Sequence, residues 1–239
     1  MTRPVLVIMT IEKLYMSERQ NIIGDHGNRS KFAAFVVDAH RNQTQDDPWQ
    51  LLGMWVLVPL TGQFQRTMGL WEWAEGWAGF EQTVHDWMIK PRPEWHGVYQ
   101  KIDELRLGGE CFVMEPGPGC PTASDLTAKG IKGTLLSYER ADVAPGTEER
   151  YLEAVRSEWA PITERYGYAM VGNYIAAKVD GVVFTAWACE RAAHTELVRS
   201  SEARAWRERR RELILRWQEE LWVGAAGSRL AGPETVAAP

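Results

Sequence analysis

A strand, turn and helix block rich in tryptophan occurs twice in this chain of 239 residues, and no other feature restricts its fold as much. Gly53–Met54–Trp55 is echoed by Gly172–Asn173–Tyr174, and Thr61–Gly62 by Asp180–Gly181, both at an offset of 119 positions. Beyond the turn, the segment around Trp71 parallels the one around Trp187, and Trp95 with its helical pattern parallels Trp206. An internal repeat decides architecture before any local reading does. The length suits two units of roughly 100–120 residues.

Each copy reads as the same series of elements. In the first, β-branched and apolar residues over 4–16 predict a strand, and Ser30 caps a helix carrying Phe32, Phe35 and Val36. Strands over Leu51–Leu60 and Thr67–Ala74 form a hairpin. A helical pattern through Phe80, Val84 and Trp87 breaks at Pro91 and Pro93 and resumes at Trp95, and Cys111–Met114 closes the unit. The second copy runs through a strand at Thr134–Arg140, a helix with Tyr151, Leu152, Val155 and Trp159, and strands at Tyr168–Lys178 and Val182–Cys189. Its closing helix places Trp206, Leu213, Ile214, Trp217 and Leu221 on one stripe. The order βαββαβ is a ferredoxin-like half, a sheet with both helices on one face. The expected fold is therefore α+β: two tandem halves, residues 1–115 and 134–223, packed sheet to sheet around a cavity. A Pro/Gly-rich linker spans 116–133 and an Ala/Gly-rich mobile tail 224–239.

Composition narrows the chemistry. A net charge of −5 excludes a nucleic-acid partner, which requires a basic footprint. Arginines in the run ARAWRERRRELILRW alternate with glutamates, which is a solvated helix face. The three cysteines have neither metal-ligand spacing nor an even count, so a reducing, cytoplasmic setting without a metal site is expected. No apolar stretch reaches the roughly 20 residues that a membrane span needs. Twelve Trp remain to be explained, and large aromatic surfaces either fill a core or line a pocket for an apolar ligand.

The pattern G-x-[WY], a glycine turn, a strand ending in Trp and a charged residue, then a helix with a central Trp resembles the NIPSNAP family of the dimeric α/β-barrel superfamily. The second half carries it as Gly172, Tyr174, Gly181, Trp187, Arg191 and Trp206, the first as Gly53, Trp55, Gly62, Trp71, Glu72 and Trp95. The resemblance implies a superfamily that includes cofactor-independent monooxygenases, polyketide cyclases, isomerases, haem-binding enzymes and proteins without known activity, with room for a homodimer.

Candidate site residues follow from strand alternation. In LWEW, Trp71 and Trp73 share one face and Glu72 the other, where a cavity between the sheets would desolvate it into a general base. His26 lies beside Asp25, which could orient its imidazole. Tyr15 and Tyr138 occupy similar places on the first strands, suited to donate to a substrate carbonyl or enolate, and Asn173 stands where the first copy has Met54, a mismatch between the copies. Trp55, Trp71, Trp73, Tyr174 and Trp187 would line the substrate space. His40, His85, His96 and His194 read as surface or helix-end residues. The expected activity is proton abstraction from an apolar aromatic or polyketide-like substrate, then oxygenation, cyclisation or isomerisation without a cofactor. The alternatives are a haem protein ligated by a helix histidine and a non-catalytic binding or scaffold protein.

Overall fold

The computed structural model describes residues 13–236 except 25, 44–46, 59–60, 62–64 and 91–92, and leaves out the side chains of His26, Glu94 and Trp95. The first half comprises β1 (Leu14–Ile22), α1 (His26–Ala39), β2 (Gln50–Leu57), β3 (Arg66–Trp73), α2 (Gly76–Val84) with a π-helical turn His85–Ile89, α3 (Pro93–Leu105) and β4 (Arg106–Pro116). After α4 (Ala123–Ala128), the second half repeats the series. It runs through β5 (Leu135–Asp142), α5 (Glu148–Ala154) with a π-helical turn Val155–Trp159, α6 (Ala160–Arg165), β6 (Ala169–Ala176), β7 (Val182–Cys189), α7 (Arg191–Arg199), α8 (Ser201–Arg211) and β8 (Arg216–Gly224).

Each half forms an antiparallel sheet, β4-β1-β3-β2 and β8-β5-β7-β6, and the two join into one closed barrel in the order β1-β3-β2-β8-β5-β7-β6-β4. The seams are equivalent. Trp55, Val56 and Leu57 of β2 pair with Gly224, Val223 and Trp222 of β8, while Met114, Glu115 and Pro116 of β4 pair with Ala176, Ile175 and Tyr174 of β6. The expected sheet-to-sheet packing is thus met by a barrel whose inner face is common to both halves. That interior is filled rather than hollow: Tyr15, Trp55, Tyr138, Tyr174, Phe184 and Trp222 lie in one buried cluster.

The repeated Gly-x-aromatic has a steric cause. In both copies the register shifts at the glycine, between Leu51 and Gly53 and between Met170 and Gly172. The aromatic two residues on lies back across it, so a Cβ at Gly53 would overlap the Trp55 ring and one at Gly172 the Tyr174 ring. Glycine is needed because the ring occupies the space of its missing side chain.

Several elements depart from the sequence reading. The first predicted strand lies mostly outside the described residues, and β1 continues instead through the polar segment Ser17-Glu18-Arg19-Gln20-Asn21, where hydropathy gave no signal. Ser17, Arg19 and Gln20 are buried, and inside the barrel Arg19 meets Glu110 at 3.2 Å and Glu220 at 3.3 Å, and Arg66 meets Glu110 at 3.2 Å. The final helix ends at Arg211, and residues 216–224 form β8, in which Glu220 and Trp222 face inward and Trp217 and Val223 outward. Period-2 alternation overrode an accidental helical spacing. In the Pro/Gly-rich connection, a capping box of Thr122 and Asp125 starts α4, whose Ala123 and Leu126 join the barrel core. The tail, expected to be mobile, returns to the barrel through Leu230 and a bridge between Gly133 and Ala231.

Replacing Gly53 by Ala in a folded barrel should cost about 1–3 kcal/mol of stability, the usual cost of overpacking. The loss should largely disappear when measured in a Trp55→Leu background. A Gly53→Ala loss of the same size in both backgrounds, read from denaturant unfolding, would show that the ring is not what demands glycine.

Candidate functional site

The barrel interior holds Glu72, Tyr15 and Tyr138 of the predicted catalytic residues as structural anchors, while Asn173 lies on the outer face. Glu72 is buried and faces inward; its carboxylate accepts from Lys13 Nζ at 2.9 Å and from the backbone N–H of Ala123 at 2.8 Å. It holds the start of α4 over the barrel end. Tyr15, its register partner, donates to the Pro121 carbonyl at 3.4 Å and packs on Tyr174 with ring centres 4.9 Å apart. Burial, with Cys120 and Glu72 nearby, raises its pKa far above the ordinary phenol value. Tyr138 stacks on Phe184 at 5.4 Å, its hydroxyl 3.8 Å from Met114 Sδ, and burial raises its pKa likewise. Asn173 donates from Nδ2 to the Pro118 carbonyl at 2.8 Å, and its own carbonyl accepts from Gly117 N–H at 2.9 Å, which fastens the connection between the halves. The His26 side chain lies outside the described residues.

Open space lies instead on the outer face of the barrel, beneath the helices. In the first half a cavity of about 260 Å³ is floored by Met16, Glu18 and Gln20 of β1, Met54 of β2 and Gly69 and Trp71 of β3. It is roofed by Phe32 and Val36 of α1, Trp87, and Val98, Tyr99 and Ile102 of α3. His40, Trp49, Arg106 and Cys111 complete the wall. Strand alternation produces this arrangement, because β1 residues on the face opposite Tyr15 and Arg19 point at the helices.

Glu18 is the central polar group of this cavity. Burial raises its carboxyl above the ordinary value, and the Arg106 guanidinium, 3.7 Å away, opposes that rise. Gln20 Nε2 donates to Glu18 Oε1. His40 is buried, sits edge-on to Trp49 and Trp71 at 5.0 and 4.9 Å, and engages the Val36 carbonyl through Nδ1 at 2.7 Å. Burial lowers its pKa, which favours the neutral ring. The Trp71 indole N–H is buried in the wall, close enough to the Glu18 carboxyl to oppose the rise in its pKa. Cys111 is pushed up to about 12 by burial and by Glu18, so it stands as a thiol.

The second half has a smaller counterpart of about 60 Å³, whose lining includes Ser137, Glu139, Trp159, Trp187, Trp206 and Arg210. The strand registers make the two cavities equivalent. Glu18 pairs with Gly69, which pairs with Met54; Glu139 pairs with Thr185, which pairs with Asn173. Glu18–Arg19 and Glu139–Arg140 are therefore the same positions of the two copies, at an offset of 121. Burial and the neighbouring Glu219 raise Glu139 to about 7. The registers also correct one expectation: Tyr15 matches Leu136 and Tyr138 matches Ser17, so the two tyrosines occupy different positions on their strands.

Of the ten predicted site residues, Trp71 and Trp187 line these cavities. Trp55 and Tyr174 fill the barrel, and Trp73 faces the helices with its indole donating to Thr83 Oγ1 at 2.9 Å. Glu18, His40, Arg106 and Glu139 were missed, although the repeated Glu-Arg pair could have revealed two of them.

A haem does not fit either cavity. Pockets for drug-sized ligands already measure about 300–1,000 Å³, and a porphyrin with its substituents is at the large end of such ligands. The 260 Å³ space contains one histidine, already bonded to Val36, and the 60 Å³ space is lined by none. Among the described residues no group of three or more His, Cys, Asp or Glu is placed to hold a metal ion, and no helix is long and apolar enough to cross a membrane.

No family model and no curated protein matches the sequence. The fold does match solved structures. One is a Lactobacillus acidophilus protein described provisionally as a monooxygenase, 8% identical over 94% of this chain and 98% of that one, with a TM-score of 0.63. An anthrone oxidase-like protein is 11% identical over 93% and 97%, at 0.61. A mutant chlorite dismutase from Candidatus Nitrospira defluvii, in complex with cyanide, is 12% identical over 92% and 93%, at 0.54. A NIPSNAP domain protein from Burkholderia xenovorans aligns with 38% of this chain and 95% of its own, 17% identical, at 0.34. The chain thus has the dimeric α/β-barrel fold, with both ferredoxin-like units in one polypeptide.

The buried carboxyls make stability pH-dependent with a definite sign. A carboxyl whose folded pKa exceeds its unfolded value favours folding while protonated and loses that contribution as pH rises through the folded pKa. For Glu139 the window runs from the ordinary 4.5 to about 7. Glu139→Gln should therefore be more stable than the parent protein near pH 8, by on the order of 2 kcal/mol, and match it near pH 5. Thermal melts at the two pH values test this, and a variant less stable at pH 8 would contradict it.

Proposed function

We propose that the chain is a cofactor-independent oxygenase of fused-ring aromatic ketones or phenols, with the first-half cavity as its active site and Glu18 as the general base. The observation that carries this reading is a half-buried carboxylate at the floor of an aromatic-walled cavity. A base is most effective when its pKa approaches the working pH, and burial moves Glu18 in that direction. The volume of about 260 Å³ exceeds the roughly 150 Å³ in which benzene is held inside a protein core, leaving room for fused rings. Likeness of fold to an anthrone oxidase-like protein supports the same substrate class.

The chemistry balances with dioxygen as the only co-reactant. Glu18 removes a proton from the acidic ring CH₂, and the electron pair delocalises onto the ketone oxygen. The carbanion carbon then reacts with O₂, forming a C–O bond. Cleavage of the O–O bond leaves one oxygen in a new carbonyl and releases the other as water, which carries away both ring hydrogens. R₂CH₂ and O₂ thus become R₂C=O and H₂O, the carbon oxidised and dioxygen reduced by the same number of electrons. Neutral His40 and the apolar wall keep the carbanion from bulk water. Proton abstraction without uptake of O₂ would instead give isomerisation or cyclisation.

Oxygen consumption with anthrone as probe tests the reading. The parent protein should consume one O₂ per quinone formed, and kcat should rise with pH through a value above the usual carboxylate range. Glu18→Gln should lower kcat by about 10²–10⁴ while anthrone still quenches tryptophan fluorescence. Glu72→Gln, by contrast, should leave kcat within a few-fold and lower the melting temperature. A Glu18→Gln protein as fast as the parent would remove Glu18 from the mechanism.

A further inference from the structure

The second-half cavity has more buried hydrogen-bond donors than acceptors. Trp159, Trp187 and Trp206 line it with their indole N–H groups buried and unpaired, and the Arg210 Nε is buried and unpaired beside them. Orphaned buried donors cost about 1–3 kcal/mol each and are few in any native protein. Four in the wall of one space of about 60 Å³ indicate that something there accepts hydrogen bonds. One oxygen of each nearby carboxylate is already engaged. Glu139 Oε2 accepts from Thr185 Oγ1 at 3.1 Å and Trp217 Nε1 at 3.3 Å, and Glu219 Oε1 accepts from Ser137 Oγ at 2.6 Å. The surround is rigid: Trp159 and Trp206 stack within 7° of parallel, and the Arg210 guanidinium lies 3.7 Å above the Trp217 ring.

Size and charge identify the occupant. A water needs roughly 10–15 Å³ measured this way, so 60 Å³ holds a guest of only a few heavy atoms. The charged groups around it are Arg207 and Arg210 of α8, Glu139 of β5 and Glu219 of β8. Tyr151 of α5, Cys189 of β7 and Tyr168, hydrogen-bonded to His194 of α7, also face this carboxyl pair. With Glu139 protonated, two arginines and one carboxylate leave a single positive charge; with Glu139 ionised the sum is zero. We infer that this cavity binds a small monovalent anion, of the size of a halide or formate, together with one proton on Glu139. The carboxyl's position near neutrality places that coupling in an accessible pH range.

Formate titrated into the full-length protein, followed by tryptophan fluorescence, tests the inference. Binding should saturate and be at least about tenfold tighter near pH 6 than near pH 8, since one proton accompanies each anion. Glu139→Gln should bind equally at both pH values, and Arg210→Gln should bind at least about tenfold more weakly at pH 6. If Arg210→Gln fails to fold, the Glu139→Gln comparison still decides. Bromide soaked into crystals of the protein should give an anomalous peak in this cavity. A cavity holding water alone, an adventitious ion only, or formate binding with no pH dependence in the parent protein would overturn the inference.

Discussion

Closure of the barrel is the constraint on which the rest of the structure depends. A lone ferredoxin-like sheet leaves two edges and one apolar face uncovered, and each is a liability in water. Here the second strand of each half pairs with the fourth strand of the other, three residue pairs at each seam. One chain thereby covers both edges and both inner faces. The connection between halves completes the closure, with α4 set over one barrel end by the Glu72 carboxylate. Since the inner faces are spent on closure, the aromatic-walled space of each half lies between the sheet and its helices.

The interior is not purely apolar, and its charges are arranged accordingly. Arg19 and Arg66 stand against Glu110 and Glu220 within the barrel. Removing one member of such a buried set usually costs several kcal/mol, while the intact set adds little net stability over an apolar core. Their effect is on register. A one-residue slip of β1 would turn Arg19 outward and Glu18 inward, leaving an unpaired charge among aromatic rings. The paired charges inside therefore fix which residues of β1 face the helices, and so place Glu18 in the cavity.

The fold was readable because repeated glycines and aromatics report steric necessity. Gly53 and Gly172 recur with Trp55 and Tyr174 because ring and glycine share one volume. The candidate site was harder to read. Glu72 stood out in LWEW for its apolar neighbours, yet alternation places it on the face that closure buries. Glu18 lies in a polar stretch beyond the predicted first strand and Glu139 within a predicted strand, and neither stood out because an enclosed carboxylate and a solvated one are the same letter. His40 read as a helix-end residue for the same reason: only the packing of Trp49 and Trp71 against it shows that it is enclosed.

The two cavities differ in volume because the duplicated floor has diverged. Gly69 in the first half is Thr185 in the second, and Cys111, opposite Glu18, is Glu219, opposite Glu139. Without a side chain at Gly69, the Trp71 indole settles over the strand, where a Cβ would come within 2.9 Å of its Nε1. That leaves room above the ring for a ligand. In the second half the hydroxyl of Thr185 and the carboxylate of Glu219 take up the corresponding space and surround Glu139 with polar groups. A glycine and a cysteine on the sheet thus leave Glu18 in the larger, aromatic-walled cavity, while a threonine and a glutamate make its copy a small polar one. Duplication supplied two equivalent carboxylates, and the side chains beside them set what each half can hold.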